Sequence, residues 1–308
     1  MAADLAITTH GLGHRFGRHW AVRDLDLKVP VGSVFAFLGP NGAGKTTTIK
    51  MLMNLLPPTG GEAEVLGYPI RSLGPEALAQ IGYVSENQKL PEWMTVQQLL
   101  AYCKPLYATW DDAFCARLFK DFDLPPDRKL RHLSRGMKTK AALLSSLAYR
   151  PRLLMLDEPF SGLDPLVREE FIQGVLELTA QESWTVFISS HDIDEVERLA
   201  DWVGIINDGR LHLAESVSSL QARFQRVEVM LGEDGSGPVP SLPQCLQVER
   251  SGRTLRFVDT ASDQAGRDAL LAAQWPPGST VQRQAMTLRD IFLSLARGFR
   301  LSKQGDAA

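Results

Sequence analysis

Cysteine is scarce in this sequence, charge of either sign is nearly balanced, and no long apolar run occurs. The three cysteines, Cys103, Cys115 and Cys245, have no C-x-x-C spacing and no neighbouring histidine pair. That argues against a disulfide framework or a zinc site and predicts reduced thiols of a cytoplasmic protein. Lys and Arg number 33 against 36 Asp and Glu, for a net charge of −3. No basic excess marks the chain as a nucleic-acid binder, and no nucleic-acid partner is expected. The opening Met1-Ala2-Ala3-Asp4 lacks the basic and apolar segments of a signal peptide. No apolar stretch approaches the ~20 residues that cross a bilayer, so any work at a membrane is expected to pass through a partner chain. No heptad run predicts a coiled coil. What is present is ordinary globular material: 308 residues, 44% hydrophobic and 22% charged, enough for one large core and a smaller one.

The most informative stretch runs from Val34 to Thr48. Val34 to Leu38 is an apolar run that reads as a buried parallel strand. Gly39-Pro40-Asn41-Gly42-Ala43-Gly44-Lys45-Thr46 fits G-x-x-x-x-G-K-[ST], and a helix is predicted over Thr46 to Leu55. The residue types suit a triphosphate, which needs many donors at short range; glycines let successive backbone N–H groups turn toward it. A helix N-terminus adds partial positive charge. Lys45 would reach the β- and γ-phosphates, and the Thr46 hydroxyl would be one ligand of a bridging Mg²⁺. The expected nucleotide contacts are Gly39, Pro40, Asn41, Gly42, Ala43, Gly44, Lys45, Thr46 and Thr47, with ATP and Mg²⁺ as cofactors.

Ahead of this loop, strands are expected over Leu5 to Phe16 and Ala21 to Val29, forming an antiparallel layer. Phe16 stands at a strand end, where its ring would stack on a purine or pack in the core; spacing leaves both open. Short strands follow at Glu64 to Gly67 and Ile81 to Val84, the second ending at Ser85-Glu86-Asn87-Gln88. From Thr95, a predicted N-cap, to about Tyr149 the pattern is helical. It includes Leu133-Ser134-Arg135-Gly136-Met137-Lys138 and a helix with Ala141, Leu144 and Leu147 on its apolar face. A second apolar strand, Arg152 to Leu156, delivers Asp157 and Glu158. Beside a phosphate loop, Asp157 would hold Mg²⁺ and Glu158 would polarise the attacking water. Ser161-Gly162-Leu163-Asp164 and a helix over Pro165 to Ala180 come next. The buried strand Thr185 to Ser190 ends at His191, where open α/β sheets gather ligands. A helix over Asp192 to Ala200 and a hairpin at Val203 to Arg210 complete the expected sheet.

Taken in order, the phosphate loop, the polar strand end, L-S-x-G, D-E, S-G-L-D and S-H resemble an ATP-binding cassette (ABC) ATPase over residues ~5 to 220. The implied fold is α/β: a P-loop NTPase core with an antiparallel β subdomain and a helical subdomain, plus a small C-terminal α+β extension. The implied domains are 1–222, with the helical subdomain at about 87–150, and 223–308. The resemblance implies an ATPase that works as a homodimer or as a heterodimer with another ABC ATPase. Each nucleotide would lie between Lys45 and Thr46 of one copy and Ser134 and Gly136 of the other. Asp164 would link the two sites, His191 would touch the γ-phosphate, and Phe16 would stack on adenine. The stretch Tyr83 to Trp110 is similar to single-cassette subunits of ABC-2 exporters. This implies a separate transmembrane permease and a place on the cytoplasmic face of the membrane; Trp93 and Met94 would either be exposed for permease contact or cover the helical core.

Two positions depart from the family pattern. Glu86 stands where glutamine is usual, and a carboxylate there would still ligate Mg²⁺, so it joins Thr46 and Asp157 as an expected metal ligand. Arg135 stands in Leu-Ser-Arg-Gly-Met-Lys, where the family has Leu-Ser-Gly-Gly-Gln. Beyond residue ~222, a strand at Arg226 to Leu231, a linker at Gly232 to Pro243 and a hairpin at Leu246 to Val258 are expected. A helix capped at Thr287, with Leu288, Ile291, Phe292 and Leu295 on one face, is expected to follow.

Overall fold

The computed structural model describes residues 4–86, 88–182, 184–232, 245–260, 275 and 278–305. They form two compact units that divide at Ala214/Glu215, eight residues before the expected boundary. The difference arises because the short helix Val217–Arg223 packs against the last helix of the chain and so belongs to the second unit.

The first unit begins with β1 (Leu5–Phe16), β2 (His19–Leu25), β3 (Lys28–Pro30) and β4 (Val34–Leu38), followed by α1 (Lys45–Leu52). The strand expected over Ala21 to Val29 is in fact two. Asp24 turns into the left-handed region at φ 50°, and Thr9 Oγ1 bridges the break by bonding Leu25 O at 2.6 Å and Leu27 N at 2.8 Å. Next come β5 (Gly60–Val65), β6 (Tyr68–Pro69), α2 (Pro75–Leu78) and β7 (Ile81–Ser85). Three helices follow: α3 (Val96–Cys103), α4 (Asp112–Asp121) and α5 (Arg135–Leu147). They occupy the expected helical stretch, and Thr95 opens α3 with a reciprocal capping box to Gln98. The chain then returns through β8 (Leu153–Asp157), α6 (Pro165–Glu182), β9 (Thr185–Ser190), α7 (Ile193–Val196), β10 (Trp202–Asn207) and β11 (Arg210–Ser216).

One sheet has the order β2-β1-β5-β6, with β3 also on β1; the described pairings in it are antiparallel. The central sheet has the order β11-β10-β4-β9-β8-β7 and is parallel from β10 to β7. Every residue of β4, β8 and β9 is buried, as a parallel sheet covered on both faces requires. A continuous core joins Ile7, Leu12, Val22 and Val65 of the antiparallel layer to Ile49 of α1 and Phe35, Phe37, Met155 and Phe187 of the central sheet. Among the described residues, no helix is long and apolar enough to cross a membrane.

The second unit contains α8 (Val217–Arg223), β12 (Gln225–Met230), β13 (Cys245–Ser251), β14 (Thr254–Asp259), β15 (Thr280–Ala285) and α9 (Leu288–Gly305). Its antiparallel sheet has the order β13-β14-β12-β15 around a small core of Val227, Val229, Leu255 and Phe257. Thr287 Oγ1 accepts from Asp290 N at 3.1 Å at the start of α9. The linker expected at Gly232 to Pro243 lies, beyond Gly232, outside the described residues.

Candidate functional site

The phosphate loop is wedged against the strand ends. Gly39 N donates to Ser190 O at 3.3 Å, and a Cβ on Gly39 would come within 2.2 Å of Ile206 O. Gly44, at φ +109°, is similarly pressed on Ala21 O, 2.4 Å from where a Cβ would be. Only glycine allows this closeness of backbone to backbone at both positions. The loop then delivers Lys45 as the first residue of α1, with Thr46 beside it.

Strand register supplies the acidic residues. In the parallel pairing of β8 and β9, Asp157 lies opposite Ser189. Ser189 Oγ donates to Asp157 Oδ1 at 2.7 Å and accepts from Glu158 N at 3.0 Å. Thr46 Oγ1 donates to the same Oδ1 at 3.0 Å. Burial raises the pKa of Asp157; bonds from Ser189 and Thr46 oppose the shift and the neighbouring Glu158 charge adds to it. A hydroxyl and a carboxylate this close form a hard-oxygen pair suited to Mg²⁺.

Glu158 adopts φ 52°, a left-handed backbone rare for a residue with a side chain, and strain of this kind gathers at functional sites. Its side chain joins two other predicted residues. Lys45 Nζ lies 3.0 Å from Oε1 and His191 Nδ1 lies 2.7 Å from Oε2. The Lys45 contact is an ion pair without aligned hydrogen-bond geometry, for Oε1 has no hydrogen-bond donor. The aligned bonds of Nζ go to Gly39 O at 2.6 Å and Pro40 O at 3.1 Å. Lys45 and Glu158 are 5% and 10% exposed, so the pair sits in a low-dielectric pocket.

Lys45, Thr46, Asp157, Glu158 and His191 therefore converge, with Gly39 and Pro40 bonded to Lys45, whereas Glu86, Ser134, Gly136, Asp164 and Phe16 make other contacts. Glu86 N bonds Asp157 O at 2.9 Å, but its carboxylate accepts from Ser161 and Arg135. Ser134 caps α5 by accepting from Met137 N at 3.2 Å. Gly136 is buried, and a Cβ there would meet Val167 Cγ1 at 2.9 Å. Asp164 accepts from Val167 N at 3.0 Å at the start of α6. Phe16 is 56% exposed and packs edge-on to His14. Of the two residues read either as permease contacts or as cover of the helical core, Trp93 is 66% exposed and Met94 is buried. Sequence reasoning passed over Ser189, whose signal was a polar residue ending an apolar strand beside the acidic pair's strand.

A phosphate loop at the C-terminal ends of parallel strands, with its lysine against an acidic residue and its threonine against another, defines a P-loop nucleotide-hydrolysing ATPase. Residues 22–161 match the family described as ABC transporter. An uncharacterised ABC transporter ATP-binding protein of Bacillus subtilis, YcbN, is 30% identical over 96% of this chain and 98% of its own. The daunorubicin resistance ATP-binding protein DrrA3 of Streptomyces coeruleorubidus is 31% identical over 98% of this chain and 99% of its own. A solved structure of an ATP-binding subunit of an ABC transporter, 27% identical, superposes with a TM-score of 0.64 over 71% of this chain and 92% of that one. The chain belongs to the ATP-binding proteins of ABC transporters. It binds ATP and hydrolyses it to power a transporter.

Proposed function

We propose that this subunit drives an exporter of the ABC-2 type from the cytoplasmic face of the membrane, working as a dimer beneath a separate permease. The observation that carries the catalytic reading is the convergence of Lys45 and His191 on the Glu158 carboxylate, with Lys45 Nζ at 3.0 Å and His191 Nδ1 at 2.7 Å. Gly39 to Thr47 cradle the triphosphate. Thr46 and Asp157 would hold Mg²⁺, which would neutralise phosphate charge. Lys45 leaves Glu158 for the β- and γ-phosphates, and the freed carboxylate polarises the attacking water. His191 orients Glu158 and meets the γ-phosphate. Phe16, exposed at the end of β1, stacks on adenine.

The dimer places Ser134 and Gly136 of one copy against the nucleotide of the other, with Asp164 between the sites. The permease docks beside the helical subdomain, at a cleft of about 450 Å³ lined by Leu55 and Tyr83 of the central layers and by Gln88, Leu99, Tyr102 and Tyr107 of the helical subdomain. Trp93, Tyr102 and Leu106 add exposed apolar surface. Outward transport is supported by DrrA3, which is named for drug resistance.

Glu158→Gln tests the catalytic part. Turnover of ATP should fall about 10²–10⁴-fold, the usual contribution of a positioned base, while ATP binding persists. Turnover unchanged by the substitution would refute the assignment.

A further inference from the structure

Outside the phosphate loop, one carboxylate gathers three segments that are far apart in sequence. Glu86 Oε1 accepts from Ser161 Oγ at 2.6 Å and from Arg135 Nη2 at 2.9 Å. Glu86 follows β7, Arg135 is the first residue of α5, and Ser161 lies in the loop between Glu158 and Asp164. The Arg135 guanidinium also covers Gly162: a Cβ there would meet Nη1 at 2.3 Å, Cζ at 2.7 Å and Nε at 3.1 Å. The Ser161 hydroxyl, followed by the Arg135 guanidinium, holds the Glu86 carboxyl below the usual range despite partial burial.

The two departures from the family pattern are thus partners. A glutamine at position 86 would offer Arg135 no charge, and a glycine at position 135 would leave Glu86 no cation. We propose that Glu86 is a positioning residue, not a ligand of the nucleotide's metal: through Arg135 and Ser161 it ties the start of α5 to the loop after Glu158. This rests on the reading of the site as an MgATP site and assigns Glu86 a different task from the one its sequence position implies. Arg135 adjoins the exposed Ser134, so the tie fixes the position of the first turn of α5, which carries Ser134 and Gly136.

Two measurements on the full chain test it, with Glu86→Ala, Arg135→Ala and the double variant. The first is hydrogen exchange without nucleotide at the amides of Met137 and Lys138, which bond to Ser134 Oγ at 3.2 Å and Ser134 O at 2.9 Å. Each single variant should speed exchange about 3–5-fold, the scale of a partly exposed ion pair, and the double variant no further. Unchanged exchange, or additive effects, would overturn the tie. The second is Mn²⁺ titration in the presence of ATP, followed by the paramagnetic signal of free Mn²⁺. Half-saturation in Glu86→Ala should stay within about threefold of the parent; a larger rise would make Glu86 a metal ligand. A parent protein that binds no Mn²⁺–ATP would defeat the nucleotide-site reading alone, leaving the exchange data to decide the tie.

Discussion

Replacing Lys45 with methionine tests the electrostatics of the site without nucleotide. Methionine keeps the apolar stem and removes the ammonium. Glu158, 10% exposed, then loses the cation 3.0 Å away and keeps only His191, whose ring is 42% exposed. Stranding one member of a buried ion pair costs about 3–5 kcal/mol. For a unit of this size that lowers the melting temperature by about 6–20 °C. Glu158→Gln is not the mirror image. It leaves the ammonium with Gly39 O at 2.6 Å and Pro40 O at 3.1 Å, so the loss should be about 1 kcal/mol. The double variant has no stranded charge and should lie well above Lys45→Met, which is a coupling between the sites. Calorimetry in chelator, without nucleotide, reads all three variants. The reasoning fails if Lys45→Met loses less than about 1 kcal/mol, or if the double variant equals the sum of the singles.

Two other substitutions test neighbouring parts of the site. Because burial raises the Asp157 pKa above 3.8, the folded state holds its proton more tightly than the unfolded chain does. Stability from this group is therefore full below that value and is lost as pH rises through the raised folded pKa. Asp157→Asn should raise the melting temperature at pH 7 in chelator, with the gain vanishing under acid, while Mg²⁺-dependent turnover is lost. A gain that grows as pH falls would contradict the sign. Gly39→Ala sets a methyl against the Ile206 carbonyl, where a Cβ would lie at 2.2 Å. Backbone cannot step aside as a side-chain tip does, so destabilisation of about 3 kcal/mol and loss of ATP binding are expected by denaturant titration and fluorescent-nucleotide binding.

Local chemistry was legible wherever neighbours in sequence act together. The run Val34 to Leu38, the glycines after it and the helix that Lys45 opens are set by hydrophobic period, φ freedom and capping over about a dozen residues. The same holds for the Thr95 cap, the Asp208-Gly209 turn and the hairpin around Gly252, where positive φ values fall. Less legible were the limits of elements. The break between β2 and β3 depends on Thr9, sixteen positions from Leu25, and the buried Met94 accepts a backbone bond from Leu130, thirty-six positions on.

The chain's order of motifs, taken alone, determined that a nucleotide loop, an acidic strand end and a histidine exist, because each is a short-range pattern. Only the tertiary structure decided who meets whom. Parallel register sets Asp157 beside Ser189, and Thr46 reaches Asp157 across 111 positions. The folded site bends Glu158 between Lys45 and His191 and turns Glu86 toward Arg135 and Ser161. A carboxylate's partner is chosen by distance and dielectric in the folded chain, and neither quantity is written along the sequence.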